Sequence, residues 1–178
     1  YADLLPEYNN VVYHEGPARL VDGGVQVAGQ HIGSERIIIT TGARPALPGI
    51  PGIADVSPLD STTALALTEL PRSMIVLGGG YIGVELAQTF ARAGVEVTLV
   101  FRSRLLPEAE PEIGAALATY LAGEGLRIVG GIAYETARRT DDGGIALAIT
   151  RDGRPEILTA ERILVATGRR PNTETLGL

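Results

Sequence analysis

Apolar and polar positions change rhythm along this chain. Between residues 11 and 40 apolar residues come in short alternating runs, which predict strands over 11–15, 18–21, 25–28 and 36–40. Asp22-Gly23-Gly24 and Ala28-Gly29-Gln30 are turn signals between them. A Pro/Gly-rich connector, "TGARPALPGIPGIADVSP", follows. In "STTALALTELP", Ser61 is placed to cap a short helix. From residue 73 the runs lengthen. "SMIVLG" is a fully apolar strand. "YIGVELAQTFARAG" repeats at helical spacing, with Ile82, Leu86, Phe90 and Ala93 on one face and Gly94 as the stop. "EVTLVF" is a second buried strand, "EPEIGAALATYLAGEG" a second helix ended by Gly125, and "LRIVGG" a third strand. Residues 133–140, 145–150 and 156–160 alternate as a three-stranded antiparallel meander, with turns at Asp142-Gly143-Gly144 and Asp152-Gly153. "RILVATGRRP" then closes the pattern as a strand returning to the first sheet.

The order β-α-β-α-β with apolar strands predicts a parallel sheet with crossover helices. The fold class expected is therefore α/β, a Rossmann-like sheet plus an antiparallel three-stranded meander. One repeat also stands out. "RIIITTGARP" (36–45) and "RILVATGRRP" (162–171) share an Arg, a strand, Thr-Gly, one residue and Arg-Pro. They read as equivalent exits from two related sheets.

Composition narrows the function. The 178 residues are 45% hydrophobic and 20% charged, ordinary for a globular protein. No apolar run approaches the ~20 residues that span a bilayer, and the polar, acidic start has no leader character. The expectation is a cytoplasmic protein, and a start without methionine suggests a piece of a longer chain. Net charge is −6, so no basic stripe is available for nucleic acid. There is no cysteine, which excludes disulfides and thiolate metal sites. His14 and His31 lie on or near predicted strands without metal-ligand spacing, and read as ordinary strand residues.

The sharpest chemical signal is Gly78, Gly80 and Gly83, a G-x-G-x-x-G between a strand and a helix. Gly78 suits a tight turn, Gly80 lets backbone approach a pyrophosphate, and Gly83 allows close helix packing. Free N–H groups at the helix start, with the positive end of its dipole, suit phosphates. NAD-preferring sites usually carry an acid about 20 residues on, at the end of the second strand. Here that strand ends Val100-Phe101-Arg102-Ser103-Arg104. Two guanidinium groups in place of a carboxylate favour a 2′-phosphate, hence NADP over NAD.

"GGGYIGVELAQTFARAGVEVTLV", the two Thr-Gly exits and "ATGRRPNTETLGL" resemble the pyridine nucleotide–disulfide oxidoreductases over nearly the whole chain. Within that family, "ELAQTFARAGVEVTL", "EPEIG" and "HEGPARLVDG" look most like the mercuric reductase branch, although some members of that branch have a loop poorer in glycine. The resemblance implies an FAD domain interrupted by an NAD(P) domain. Residues 1–70 would be the tail of the first half of the FAD domain, 71–170 the NAD(P) domain, and 171–178 the return. It implies hydride passing from NADPH to FAD and on to a disulfide outside these residues, because the FAD fingerprint and the redox cysteine pair are not in this stretch. The acceptor would be Hg(II). Alternatives are a dihydrolipoamide dehydrogenase, a glutathione-reductase-like enzyme, or a non-catalytic nucleotide-binding module. No catalytic residue and no metal site is expected in this stretch, and the full-length parent would be a homodimer.

The resemblance also assigns residues. Gly78, Gly79, Gly80, Tyr81, Ile82, Gly83, Glu85, Arg102, Arg104 and Gly168 would contact NADP. Tyr81 would cover the nicotinamide, Glu85 would support the flavin side, and Gly168 would lie beside the nicotinamide ribose. Gly16, Ala18, Thr41 and Gly42 would border FAD. Without the resemblance, Tyr81 reads as an aromatic packed on the sheet, and Glu85 as an exposed first-turn acid favoured by the helix dipole.

Overall fold

The computed structural model describes Tyr8 and residues 10–178. The polar start read over residues 1–7 and Asn9 lies outside the described residues. The chain divides into two units. One comprises the described residues up to Arg44 with Pro171–Leu178, and the other Pro45–Arg170.

The larger unit is built on a parallel sheet of β5 (Ser73–Leu77), β6 (Glu96–Phe101), β7 (Arg127–Gly130) and β11 (Arg162–Val165), in the order β11-β5-β6-β7. Helix α2 (Tyr81–Arg92) links β5 to β6, and α3 (Pro111–Gly123) links β6 to β7. Gly94 and Gly125, both at φ +93, end the helices where a left-handed residue is needed. Beyond β7 come β8 (Ile132–Arg139), β9 (Ile145–Arg151) and β10 (Arg154–Ala160), an antiparallel meander in the order β10-β9-β8.

Side-chain alternation on the sheet separates two cores. Met74 and Val76 of β5 face the helices, where Val84, Leu86, Ala87, Phe90 and Leu121 meet them. Ile75 and Leu77 face the meander, where Ile145, Leu147, Ile149 and Leu158 close the second core. The four apolar residues of β5 are fully buried. This two-sided burial is why "MIVL" is a continuous apolar run rather than an alternating one. The connector also contributes, since Ile50, Ile53 and Val56 join the second core. At the outer surface Arg92 donates to both carboxylate oxygens of Glu124, at 2.9 and 2.6 Å, and Gln88 donates to it at 3.0 Å, clamping α2 to the end of α3.

Two further edges complete this unit. Leu59 bridges Leu164 in parallel, so β11 is hydrogen-bonded on both sides. Next to it α1 (Ser61–Leu65) is capped by Asp60 rather than by Ser61. The Asp60 carboxylate accepts from the N–H groups of Thr62 and Thr63 at 2.9 and 2.8 Å, while Thr63 reaches back to the Asp60 N–H. An acid one residue earlier than the expected serine has the reach to satisfy two N–H groups at once.

The smaller unit holds a meander of β1 (Ala18–Val21), β2 (Gly24–Val27) and β3 (Gln30–Gly33). Leu176 accepts from the Leu20 N–H at 2.6 Å, which ties the carboxy-terminal residues to β1. β3 was not among the expected strands, and those expected at 11–15 and 36–40 do not form. A strand needs a partner for its ladder. Among the described residues no strand pairs with 11–15 or 36–40, and Val12 and Ile38 are 79% and 88% exposed. β3 has β2 beside it, four residues in register, although "QHIG" has little apolar pattern. His31 lies on this strand, its ring Nε2 3.4 Å from the Asp22 carbonyl. The short strands β4 (Ala43–Pro45) and β12 (Arg169–Pro171) form a separate two-stranded sheet.

Candidate functional site

The ends of β5, β6 and β11 lie at the carboxyl edge of one parallel sheet, the edge at which open α/β sheets bind ligands. β5 leaves the sheet at Gly78, whose φ of +121 favours glycine. A Cβ on Gly78 would lie 2.2 Å from the Ala166 carbonyl oxygen, and one on Gly83 would lie 2.0 Å from the Gly78 oxygen. These two glycines let β11 and α2 close onto the loop. A Cβ on Gly79 would press on Phe101 and the Arg104 carbonyl at 3.0–3.1 Å. Gly80 differs from all three, because a Cβ there would meet nothing within 4 Å. Gly80 is also the N-cap of α2 and provides no side-chain cap. The first N–H groups of this 12-residue helix thus have no side-chain cap, and the space at the Gly80 Cβ position beside them is open.

Two clefts flank that opening and share Gly80, Ala166 and Gly168. One, about 230 Å³, is bordered by the glycine loop, Phe101, Arg102, Ser103, Arg104, Tyr134 and Thr167. The other, about 200 Å³, is bordered by Pro45, Ser61, Tyr81, Ile82, Val165 and Arg169. A ligand with phosphates at Gly80 could extend into a basic cleft on one side and a mainly apolar one on the other. A dinucleotide has that shape and polarity.

The structure thus brings together Gly78, Gly79, Gly80, Arg102, Arg104 and Gly168 around the first cleft, and Tyr81, Ile82 and Gly168 around the second. Tyr81 is 59% exposed at the start of α2. Gly168 has φ +147 and open space at its Cβ position. The two arginines are not equivalent. Arg104 donates to the Pro107 carbonyl at 2.6 Å within its own loop. Arg102 also borders a third cleft, with Ala46–Ile50 and Ile132–Tyr134. Glu85 lies exposed on α2 and borders neither of the clefts at the loop.

Gly16, Ala18, Thr41 and Gly42 belong to the smaller unit. Gly16 sits against Val27 and Ala28, and Ala18 pairs with Val27. The carbonyls of Thr41 and Gly42 accept from the side chain and backbone of Asn172, each at 3.0 Å. Arg44 holds the same corner through Asn172 Oδ1 and the Glu174 carboxylate, each at 3.0 Å. The two pairs of residues therefore lie against different elements.

Sequence reasoning missed Tyr134 and Asp60. Burial pushes the Tyr134 phenol up to about 12, opposed by the positive charge of Arg102. Its hydroxyl donates to the Val100 carbonyl at 3.1 Å. The Asp60 carboxyl is held below its usual range, chiefly by the Thr63 N–H. No local sequence signal marks Tyr134, whereas the acid directly before "STT" was a readable signal for Asp60. Among the described residues no group of three His, Asp or Glu could hold a metal ion, and no helix is long and apolar enough to cross a membrane.

Comparison with known proteins identifies the family. The profile of the pyridine nucleotide-disulphide oxidoreductases matches residues 5–178. A mercuric reductase of Staphylococcus aureus is 41% identical over 179 residues, covering 100% of this chain and 32% of that protein. A dihydrolipoyl dehydrogenase of Halobacterium salinarum is 40% identical over 162 residues, covering 90% of this chain and 34% of its own length. Among solved structures, the HOCl-induced flavoprotein disulfide reductase RclA from Escherichia coli superposes with a TM-score of 0.78 at 34% identity, over 97% of this chain and 39% of that one. The chain spans about a third of the length of the curated relatives it matches.

Proposed function

The chain belongs to the pyridine nucleotide-disulphide oxidoreductase family, and on that premise we propose that it is the NADPH-binding portion of a flavin-dependent disulfide oxidoreductase. The carrying observation is the uncapped amino terminus of α2 at Gly80, beside a β6 followed directly by Arg102 instead of an acid. Backbone N–H groups of α2 bind the pyrophosphate, with Gly79 and Gly83 keeping the loop low enough for its approach. Arg102 takes the 2′-phosphate. Arg104 contributes less, because its guanidinium is engaged by Pro107. Tyr81, Ile82 and Gly168 border the nicotinamide side, where Tyr81 covers the ring. Glu85 supports the flavin side in the complete protein, and Gly16, Ala18, Thr41 and Gly42 border FAD there. When bound, the reduced nicotinamide supplies a hydride for FAD and an active-site disulfide encoded outside this chain. The protein's part is to bind, orient and shield.

The complete protein is proposed to be a cytoplasmic homodimer that reduces Hg(II) to Hg(0). A dihydrolipoyl dehydrogenase is the second reading, favoured by a relative only one percentage point less identical. NADPH-dependent loss of Hg(II) by the full-length protein separates the two, against NADH production from dihydrolipoamide.

Calorimetric titration of this chain tests the nucleotide reading. Each charge-assisted contact to a 2′-phosphate adds about 1.5–3 kcal/mol before screening. The expected NADPH preference over NADH is on the order of tenfold to a few hundredfold. Arg102→Ala removes most of it, and Arg104→Ala a smaller share. Equal affinities in the wild type, or a preference untouched by Arg102→Ala, overturn the assignment. Gly80→Val, which places a side chain in the open space, abolishes binding of both nucleotides while lowering stability by no more than a lost helix cap, about 1 kcal/mol.

A further inference from the structure

Arg102 stands at the end of a strand, where a long side chain has little to fix it. The two residues before it are held firmly. Phe101 is buried, and its ring occupies the space a Cβ on Gly130 would need, 2.3 Å from Cε2. The Val100 carbonyl accepts twice, from the Gly78 N–H at 2.8 Å and from the Tyr134 hydroxyl at 3.1 Å. One oxygen therefore joins the first residue of the glycine loop, the end of β6 and the meander.

Tyr134 reaches that oxygen because of an irregularity in β8. Ile132 and Tyr134 point inward, and so does Ala137, which breaks the even-numbered alternation. The register with β9 shifts between Tyr134, opposite Ile149, and Thr136, opposite Ala148. Glu135 is the extra residue of a bulge, and the bulge lets both halves of β8 face the core. Tyr134 and Arg102 then border the same two clefts. The phenol is a donor at neutral pH, as any tyrosine is, and burial raises its pKa further, to about 12.

We propose that Tyr134 is a positioning residue for cofactor discrimination: by donating to the Val100 carbonyl it fixes the β6 terminus from which Arg102 meets the 2′-phosphate. This rests on the reading of the Arg102 cleft as the 2′-phosphate side of the dinucleotide site. A residue that merely supported the fold would, when altered, weaken NADPH and NADH alike. A residue that aims Arg102 affects NADPH selectively.

The test uses Tyr134→Phe, which deletes one oxygen and keeps the ring, alone and combined with Arg102→Ala. Two readouts are taken on this chain: the Arg102 side-chain Nε–H resonance without ligand, and calorimetric affinities for NADPH and NADH. Tyr134→Phe is expected to shift or broaden the Arg102 resonance. It is also expected to lower the NADPH-to-NADH affinity ratio on the order of three- to tenfold, through weaker NADPH binding alone. In the Arg102→Ala background it should change the ratio no further. An unmoved resonance overturns the proposal, as do an unchanged ratio in a chain that prefers NADPH and equal losses for both nucleotides. If the wild type binds both nucleotides equally, or neither, the 2′-phosphate reading fails and with it the role in discrimination. The resonance then separately reports whether Tyr134 positions Arg102.

Discussion

The segments 36–45 and 162–171 carry nearly the same residues and meet opposite fates. In the second, Ile163, Leu164 and Val165 are at most 4% exposed, with β5 on one side and Leu59 on the other. In the first, Ile37, Ile38 and Ile39 are 42%, 88% and 42% exposed and belong to no strand. Downstream the two converge again. Gly42 and Gly168 both adopt positive φ, and Ala43–Pro45 and Arg169–Pro171 are both short strands. The turn chemistry is local and survives in both copies, whereas the strand is a property of its neighbours. β-Branched runs create the capacity for a strand, and only a paired ladder realises it.

The largest expected effect tests that contrast directly. Ile163→Ala empties a fully buried position and should destabilise by about 2–5 kcal/mol. Ile38→Ala should stay within about 0.5 kcal/mol. Urea unfolding of both variants checks this, and comparable losses would show that 36–40 is packed after all. Next come the shared glycines. Gly168 at φ +147 lies in a region nearly reserved for glycine, so Gly168→Ala should lose about 1–3 kcal/mol. Gly42 at φ +69 lies in the left-handed region, and Gly42→Ala should lose about 1–2 kcal/mol. Only Gly168→Ala should also weaken NADPH binding, since Gly168 borders both clefts at the loop.

The smallest effect concerns the cap beside the buried exit. Asp60→Ala should lose about 0.5–2 kcal/mol. The Asp60 pKa is depressed in the folded state, so its contribution is present above the unfolded value of about 3.9 and lost as pH falls through the folded value. Asp60→Asn retains the cap without that titration. The advantage of wild type over Asp60→Asn in urea midpoint should therefore shrink as pH drops from about 5 to about 2. A constant difference across that window would remove Asp60 from the acid limb of the stability profile.

The same physics explains what could be read from the residues. β5, α2, β6, α3 and the β8–β10 meander were legible because each carries its period and its stop within a few residues. The glycine loop was legible because its spacing matches its local geometry, and the structure adds that Gly80 alone faces open space. What was hidden depends on distant partners. Strand β3 exists through β2, not through the pattern of "QHIG". Ile50, Ile53 and Val56 join a core although they sit among prolines and glycines. Tyr134 acquires its partner through a bulge and a carbonyl 34 residues away. The unequal engagement of Arg102 and Arg104 follows from how one short loop folds back to Pro107.

The contiguity of Pro45–Arg170 has a consequence for the order in which the protein takes shape during synthesis. Every segment of that unit has emerged from the ribosome once Arg170 has, and α2 and α3 each connect neighbouring strands of its parallel sheet. The other unit is interrupted. Its corner joins Arg44 to Glu174 across 130 residues, and Leu20 waits for Leu176. Closing so long a gap as free chain would carry the entropy of a large loop. Prior folding of the inserted unit replaces that free loop with a compact body. The contiguous unit is thus expected to fold first, and its completion to ease the closing of the interrupted one.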